Sequence, residues 1–260
     1  MPLSRCPIEF CAFAGQLADA SGAVIRRHFR TSFDVVSKAD ASPVTVADRD
    51  SERAIRGLIE THFPEHGIVG EEFGSVRGDA RHVWVIDPID GTRAFVAGKP
   101  LFATLIALVE DGTPILGVID QPVSGERWLG ALGRPTTLNA EPVRTRKCAK
   151  LGNALLSATS PEMFKDIDAL AFDRLKGRVR QNHWGGDAYG YALVASGFID
   201  LVVESGLKFH DFAALVPVIE GAGGVVRDWH GRPVSAGSDG RIVALGDPTL
   251  LGETTAVLTG

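Results

Sequence analysis

Two aspartates separated by two residues, in Trp84-Val85-Ile86-Asp87-Pro88-Ile89-Asp90-Gly91-Thr92, are the first residues of this chain whose types and spacing suggest chemistry. An apolar run of strand character ends at Asp87, Pro88 should stop the ladder, and Gly91 permits a sharp turn into a helix beginning at Thr92. The free N–H groups around Gly91 and Thr92, together with the helix dipole, favour an anion. Two carboxylates beside that anion would repel it unless cations lay between them. Magnesium resolves the conflict, because it takes one or two carboxylates and keeps waters and phosphate oxygens as its remaining ligands. The plainer alternative is that Asp87 and Asp90 merely cap a turn and a helix, and this segment alone does not choose between the two.

Other segments add acids. Ile68-Val69-Gly70-Glu71-Glu72 ends a second apolar run in carboxylates, and Lys208-Phe209-His210-Asp211 precedes an apolar helix closed by Gly221-Ala222-Gly223-Gly224. Together with Pro43-Val44-Thr45-Val46-Ala47-Asp48, these blocks resemble, in order, the signature of the inositol monophosphatase-like family of metal-dependent phosphatases. The resemblance covers nearly the whole chain. It implies that Glu71, Asp87, Asp90, Asp211 and the backbone carbonyl of Ile89 ligate two or three magnesium ions. It also implies that Gly91 and Thr92 hold the phosphate, and that Glu71 and Thr92, the latter supported by Asp48, orient the attacking water. His210 departs from the pattern, since many members carry tryptophan there, and this alters the wall of the site.

The physical demand matches such an arrangement. Phosphate-monoester hydrolysis is so slow without a catalyst that a site must lower the barrier by on the order of 20 kcal/mol or more. Two metal ions about 3.5–4 Å apart can do so, by activating a water and clamping the entering and leaving oxygens of an in-line displacement. Rival chemistries fit less well. An aspartyl nucleophile of the haloacid dehalogenase type needs Asp-x-Asp, not Asp-x-x-Asp, and an EF-hand needs acids at alternating positions. The histidines read as packing or solvated residues, because hard magnesium prefers oxygen. Trp84 and Trp128 read as core or interface residues.

Substrate choice should lie where Trp184-Gly185-Gly186-Asp187-Ala188-Tyr189-Gly190-Tyr191 opens a helix and where the strand Leu201 to Glu204 ends. In the family these places read the alcohol, which maps to Asp90, Gly186, Asp187, Ala188 and Glu204. Inositol-type members usually have a small uncharged residue at the position of Asp187. A second carboxylate facing Glu204 suits a leaving group carrying positive charge. As a plain structural residue, Asp187 would be a helix N-cap. The Gly186-Asp187 block resembles the histidinol-phosphate phosphatase branch, as do Gly98-Lys99-Pro100-Leu101-Phe102, Ile119-Asp120-Gln121-Pro122 and Glu126-Arg127-Trp128. That resemblance implies release of histidinol from L-histidinol phosphate. An inositol-1-phosphate phosphatase is the alternative enzyme, and a non-catalytic regulator on the same fold is the alternative of another class.

The elements that must position these residues follow from periodicity. Helices are expected near residues 8–30 and 45–64, the second opened by a capping box of Thr45 and Asp48. Strands are expected at Ile68–Gly70, Val83–Ile86, Leu101–Val109, Ile115–Ile119 and Arg127–Leu132, with Asp111-Gly112 as a hairpin turn. This first half, residues 1–140, reads as helices on a largely antiparallel sheet. The second half, 141–260, alternates: strands Leu155–Ala158 and Val179–Asn182, helix Asp187–Ser196, strand Leu201–Glu204, helix Phe212–Glu220, strands Val225–Arg227 and Ile242–Leu245, and a final helix. The expected class is an α/β, α+β layered sandwich, and the family resemblance implies an αβαβα architecture. The segment from Thr31 to Pro43 is expected to cover the site.

The 260 residues suffice for a full core, and 23% charged residues with a formal charge of -5 argue against broad nucleic-acid binding, which calls for a basic face. Neither a signal peptide nor a membrane-spanning run is read from the sequence, and three scattered cysteines suit a reduced, cytoplasmic protein. The family resemblance implies a homodimer.

Overall fold

Alternation of apolar side chains along the central strands dictates the layers. The strand His82–Asp90 turns Val83 and Val85 to one face and Trp84 and Ile86 to the other. Its neighbour Ala103–Glu110 divides Leu105, Ala107 and Val109 from Ile106 and Leu108 in the same way. Both faces of this sheet are apolar, so both must be covered. The computed structural model describes residues 5–31, 35–37 and 43–260; of 35–37 and 43–45 it describes the backbone. Most of the segment Thr31–Pro43 and the side chain of Thr45 therefore lie outside the described residues.

The first sheet has eight strands. From edge to edge they are Glu141–Pro142, Thr137–Leu138, Glu126–Ala131, Thr113–Gln121, Ala103–Glu110, His82–Asp90, Gly67–Gly70 and Gly74–Val76. Neighbours are antiparallel except Gly67–Gly70 beside His82–Asp90. Helices Ile8–His28 and Val46–His62 cover one face, packing Phe13, Leu17, Ile55 and Ile59 on Trp84 and Ile106. Ile8–His28 is long and apolar enough by composition to cross a membrane, and more than half of its most apolar stretch is buried in this packing.

Helices Asp187–Ala195 and Leu215–Gly221 cover the opposite face, and their far sides meet a second sheet through Val202, Val226 and Ala244. That five-stranded sheet runs Gln181–Trp184, Leu155–Ala158, Leu201–Glu204, Ile242–Leu245, Val225–Asp228. Its first three strands are parallel and the rest antiparallel. Helices Asp166–Lys176 and Leu251–Thr259 close its outer face with Phe172, Leu175 and Leu258. The order of layers is αβαβα, the α/β sandwich expected. Trp84 and Trp128 are fully buried in it.

Four local features depart from the sequence reading. Pro88 does not stop the ladder: the strand continues to Asp90, with Asp87 opposite Leu105 and Asp90 opposite Ala103, so an extra residue bulges out. A proline loses nothing in such a bulge, and its carbonyl accepts from Thr104 Oγ1 at 2.8 Å. The helix expected at Phe212–Glu220 is two short ones, Phe209–Phe212 and Leu215–Gly221. Pro217 explains the break, because it cannot donate back into a preceding turn but fits the first turn of a new helix. Strand Gln181–Trp184 lies two residues beyond Val179–Asn182, in parallel register with Leu155–Ala158. Helix Asp166–Lys176 has no counterpart in the reading, since Ile167 and Leu170 stand exposed while Ala171, Phe172 and Leu175 are buried, which blurs the period.

Candidate active site

The bulge at Pro88 places Asp87 and Asp90 where the eight-stranded sheet meets the first turn of the helix Asp187–Ala195. Asp211 reaches the same point from the short helix Phe209–Phe212, where its Oδ2 accepts from the Lys208 amide at 2.7 Å and its Oδ1 lies 3.3 Å from His210 Nε2. Asp87, Asp90 and Asp211 each offer a carboxylate oxygen, all within 4.8 Å of one another. Asp87 is only 2% exposed. Burial pushes its carboxyl well above the ordinary range, and the charges of Glu71, Asp90, Asp211 and Asp48 push the same way. Asp90 is also pushed up by burial, then by Asp187 and Asp211, against the pull of the Ala188 amide. Burial raises Asp211, with the neighbouring His210 opposing.

Such a cluster is costly unless a cation shares it. Asp87 Oδ1 is buried without a hydrogen-bond partner among the described residues, and the donors are all hard oxygens. These residues fit a magnesium-type ion, which prefers such ligands.

The remaining residues singled out in the sequence surround this cluster. Glu71 follows the strand Gly67–Gly70, with its amide donating to the Ile86 carbonyl at 3.2 Å; its side chain is half-buried and its charge acts on Asp87 and Asp211. Asp48 is buried in the first turn of Val46–His62, and its charge reaches Asp87. Gly91 takes a left-handed conformation with φ 86° before the helix Thr92–Val96. A Cβ there would also lie 3.0 Å from Asp187 Oδ2, so glycine is required twice over. Thr92 Oγ1 donates to the Ile89 carbonyl at 3.0 Å, which ties the residue expected to orient water to the carbonyl expected to bind metal.

The residues expected to read the alcohol lie across from these groups. The Ala188 amide donates to Asp90 Oδ2 at 2.5 Å. Gly186 is the N-cap of helix Asp187–Ala195, and Asp187, at φ 43°, begins it. The Asp187 side chain does not cap that helix; its Oδ1 accepts from Thr159 Oγ1 at 3.2 Å. Burial raises its carboxyl, opposed by the Thr159 hydroxyl and the charge of Arg93. Glu204, 3% exposed at its strand end, accepts from the Thr159 amide at 2.8 Å and from the Tyr191 hydroxyl at 3.0 Å. Burial pushes its carboxyl up to about 7, opposed first by Thr159.

Sequence reasoning missed Thr159, Tyr191 and Glu52. Thr159 directly follows the strand Leu155–Ala158, and sites in open α/β sheets gather at carboxyl ends of strands, so its position was a usable signal. Glu52 stands one turn after Asp48 on the same helix. It is fully buried, accepts from the Glu72 and Phe73 amides at 2.7 and 3.2 Å, and pairs with Arg56 Nε at 2.7 Å. It thereby fixes the turn that presents Glu71, and a Cβ on Gly70 would strike its carboxylate.

Comparison with known proteins gives the chain's family. The sequence profile of the inositol monophosphatase family matches residues 8–258. The chain is 54% identical over 226 residues to a chloroplastic bifunctional phosphatase IMPL2 of Arabidopsis thaliana, covering 86% of this chain and 65% of that protein's length. It is 38% identical to a histidinol-phosphatase of Chlorobaculum parvum, covering 88% of this chain and 89% of that one. Among solved structures, an inositol monophosphatase from Zymomonas mobilis superposes with a TM-score of 0.89 at 48% identity, covering 96% of this chain and 97% of the other.

Proposed function

The chain belongs to the inositol monophosphatase family, and from that premise we propose that it is a magnesium-dependent phosphomonoesterase whose preferred substrate is L-histidinol phosphate. The observation that carries the choice of alcohol is the pair of carboxylates, Asp187 and Glu204, joined through Thr159 beside the Asp87, Asp90 and Asp211 cluster. An anionic wall suits a leaving group bearing an ammonium and an imidazole, because a desolvated acid needs a cationic or donor-rich partner.

In this reading Glu71, Asp87, Asp90, Asp211 and the Ile89 carbonyl hold the metal, with residues 1–140 supplying most ligands and 141–260 the groups that read the alcohol. Magnesium bound there supplies Lewis-acid polarisation of the phosphoryl oxygens and an activated water. The outward amides at Gly91 and Thr92 receive phosphate oxygens. Glu71 accepts a proton from the attacking water, while the Thr92 hydroxyl, whose proton is committed to the Ile89 carbonyl, presents its oxygen as an acceptor that orients that water. Asp48 acts behind Thr92. Asp90, held by the Ala188 amide, sits between the cation side and the alcohol side and positions the ester across the seam.

A second reading, an inositol-1-phosphate phosphatase, draws on the likeness to the Zymomonas mobilis enzyme. A non-catalytic regulator has less support, because the chain retains the acids a catalyst needs. The proposal extends to a cytoplasmic homodimer acting on small phosphate monoesters and not on nucleic acid or membrane; light scattering on the purified protein tests the dimer. Phosphate release from histidinol phosphate and from inositol-1-phosphate, each with magnesium, tests the activity. A higher kcat/KM for histidinol phosphate is expected. A higher value for the inositol ester would establish the second reading, and silence on both would favour the regulator.

A further inference from the structure

Among the described residues, Thr159 is the one that hydrogen-bonds to both carboxylates assigned to the alcohol. Its backbone amide donates to Glu204 Oε1 at 2.8 Å and its side-chain hydroxyl donates to Asp187 Oδ1 at 3.2 Å. The two bonds hold acids that stand 17 positions apart in sequence on different elements, the first turn of Asp187–Ala195 and the end of Leu201–Glu204. Glu204 is fixed a second time by the Tyr191 hydroxyl, at 3.0 Å. Among the described residues Asp187 has no such second anchor in its hydrogen bonds, and its other oxygen, Oδ2, faces Gly91. The hydroxyl of Thr159 is therefore what sets the direction of the Asp187 carboxylate.

We propose that Thr159 is a positioning residue for substrate choice: its hydroxyl turns Asp187 so that the free carboxylate oxygen receives the primary ammonium of an amino-alcohol phosphate ester. This inference rests on the reading of Asp187 as an alcohol-side residue and goes beyond it by naming what aims the carboxylate and which group of the substrate meets it. Without the donor, Asp187 can rotate towards Arg93, whose charge already acts on it, and the anionic wall is lost to an internal pair. Glu204 would stay in place, since its bonds come from the Thr159 backbone and from Tyr191.

Thr159→Val isolates the hydroxyl, because valine keeps the branched shape and the backbone amide. Thr159→Ser keeps the hydroxyl and serves as the rescue. With the full chain and magnesium, kcat and KM are measured for histidinol phosphate and for inositol-1-phosphate, in wild type, in both Thr159 variants, in Asp187→Asn and in the Thr159→Val, Asp187→Asn double variant. The expected result is a rise of about tenfold in KM for histidinol phosphate in Thr159→Val, the scale of one hydrogen bond to a charged group. The inositol ester should change less than about twofold, the serine variant should restore the lost affinity, and the valine should add nothing once Asp187 is asparagine. Equal losses on both esters, or additive effects of the two substitutions, would show a merely structural threonine and overturn the inference. A wild-type preference for the inositol ester would instead overturn the proposed substrate, while the double-variant comparison would still decide whether Thr159 acts through Asp187.

Discussion

The amide of Ala188 donates to Asp90 Oδ2 at 2.5 Å, a bond between residues 98 positions apart that fastens the helix Asp187–Ala195 to the acid cluster. Asp90 thus has one oxygen engaged by that amide while its carboxylate also belongs to the cluster with Asp87 and Asp211. Asp90→Asn keeps the size but leaves a single acceptor for both tasks. Its kcat with magnesium is expected to fall by about a thousandfold, in the range seen when one charge-stabilising group is removed from a site. Phosphate release measures this, and turnover near that of wild type would refute the role.

Metal binding should be visible without turnover. Three crowded carboxylates, Asp87 buried and Asp90 and Asp211 half-buried, destabilise the protein when no cation shares them, so magnesium at about 100 times its Kd should stabilise the fold by about 2.7 kcal/mol, a rise in Tm of about 5 °C or more. Asp87→Asn removes one repelling charge. It should raise the Tm of the metal-free protein and abolish most of the magnesium-dependent shift. A shift in the variant as large as in wild type would place the cation elsewhere.

Asp187→Thr should lower kcat/KM for histidinol phosphate by about 10–100-fold, the worth of one hydrogen bond to a charged group, and change the inositol ester far less. Equal losses would make Asp187 structural. The comparison is clean because Glu204 keeps its bonds from Thr159 and Tyr191 in the variant.

A remote histidine gives a pH signature. His66 Nδ1 accepts from Trp84 Nε1 at 3.1 Å, and burial, then the charge of His82, lowers its pKa to about 4 from the ordinary 6.5. The folded state binds this proton less readily than the unfolded chain. Its stabilising effect is therefore complete above pH 6.5 and is lost as pH falls towards 4. The loss should amount to roughly 1–2 kcal/mol, since the ring is only partly shielded from solvent. His66→Gln keeps a polar side chain without the titration. The Tm difference between wild type and variant should shrink or reverse between pH 7 and 5, and a constant difference would sink the idea. The raised carboxyls of Asp87 and Asp211 shift stability in the opposite sense but are common to both proteins and cancel in the comparison.

Much of this fold was written in local patterns. The apolar runs Val83–Ile86 and Leu101–Val109 marked strands, and the division of their side chains between two apolar faces builds the layers. The acids at Asp87, Asp90, Glu71 and Asp211 were legible because each ends an apolar run or opens a helix. The roles of Thr159 and Glu52 were not, for a physical reason: the strand end at Ala158 could flag the position of Thr159, but both residues act through hydrogen bonds to residues 20 to 45 positions away, and nothing in a local window records such a partner. The helix Asp166–Lys176 escaped because Ile167 and Leu170 face outward, so hydrophobicity there does not report burial. Pro88 misled for the converse reason, since a bulge removes the cost that normally keeps proline out of a sheet.

The order in which the acids are made also matters to how the protein matures. Asp87 and Asp90 emerge from the ribosome about 120 residues before Asp211. At about 5–20 residues per second that gap lasts roughly 6–25 s, during which a nascent chain can offer an ion only part of its cage. On the proposed reading a cation finds all three carboxylates together only after Asp211 has been made, a late clasp on a chain whose first sheet has already had time to form.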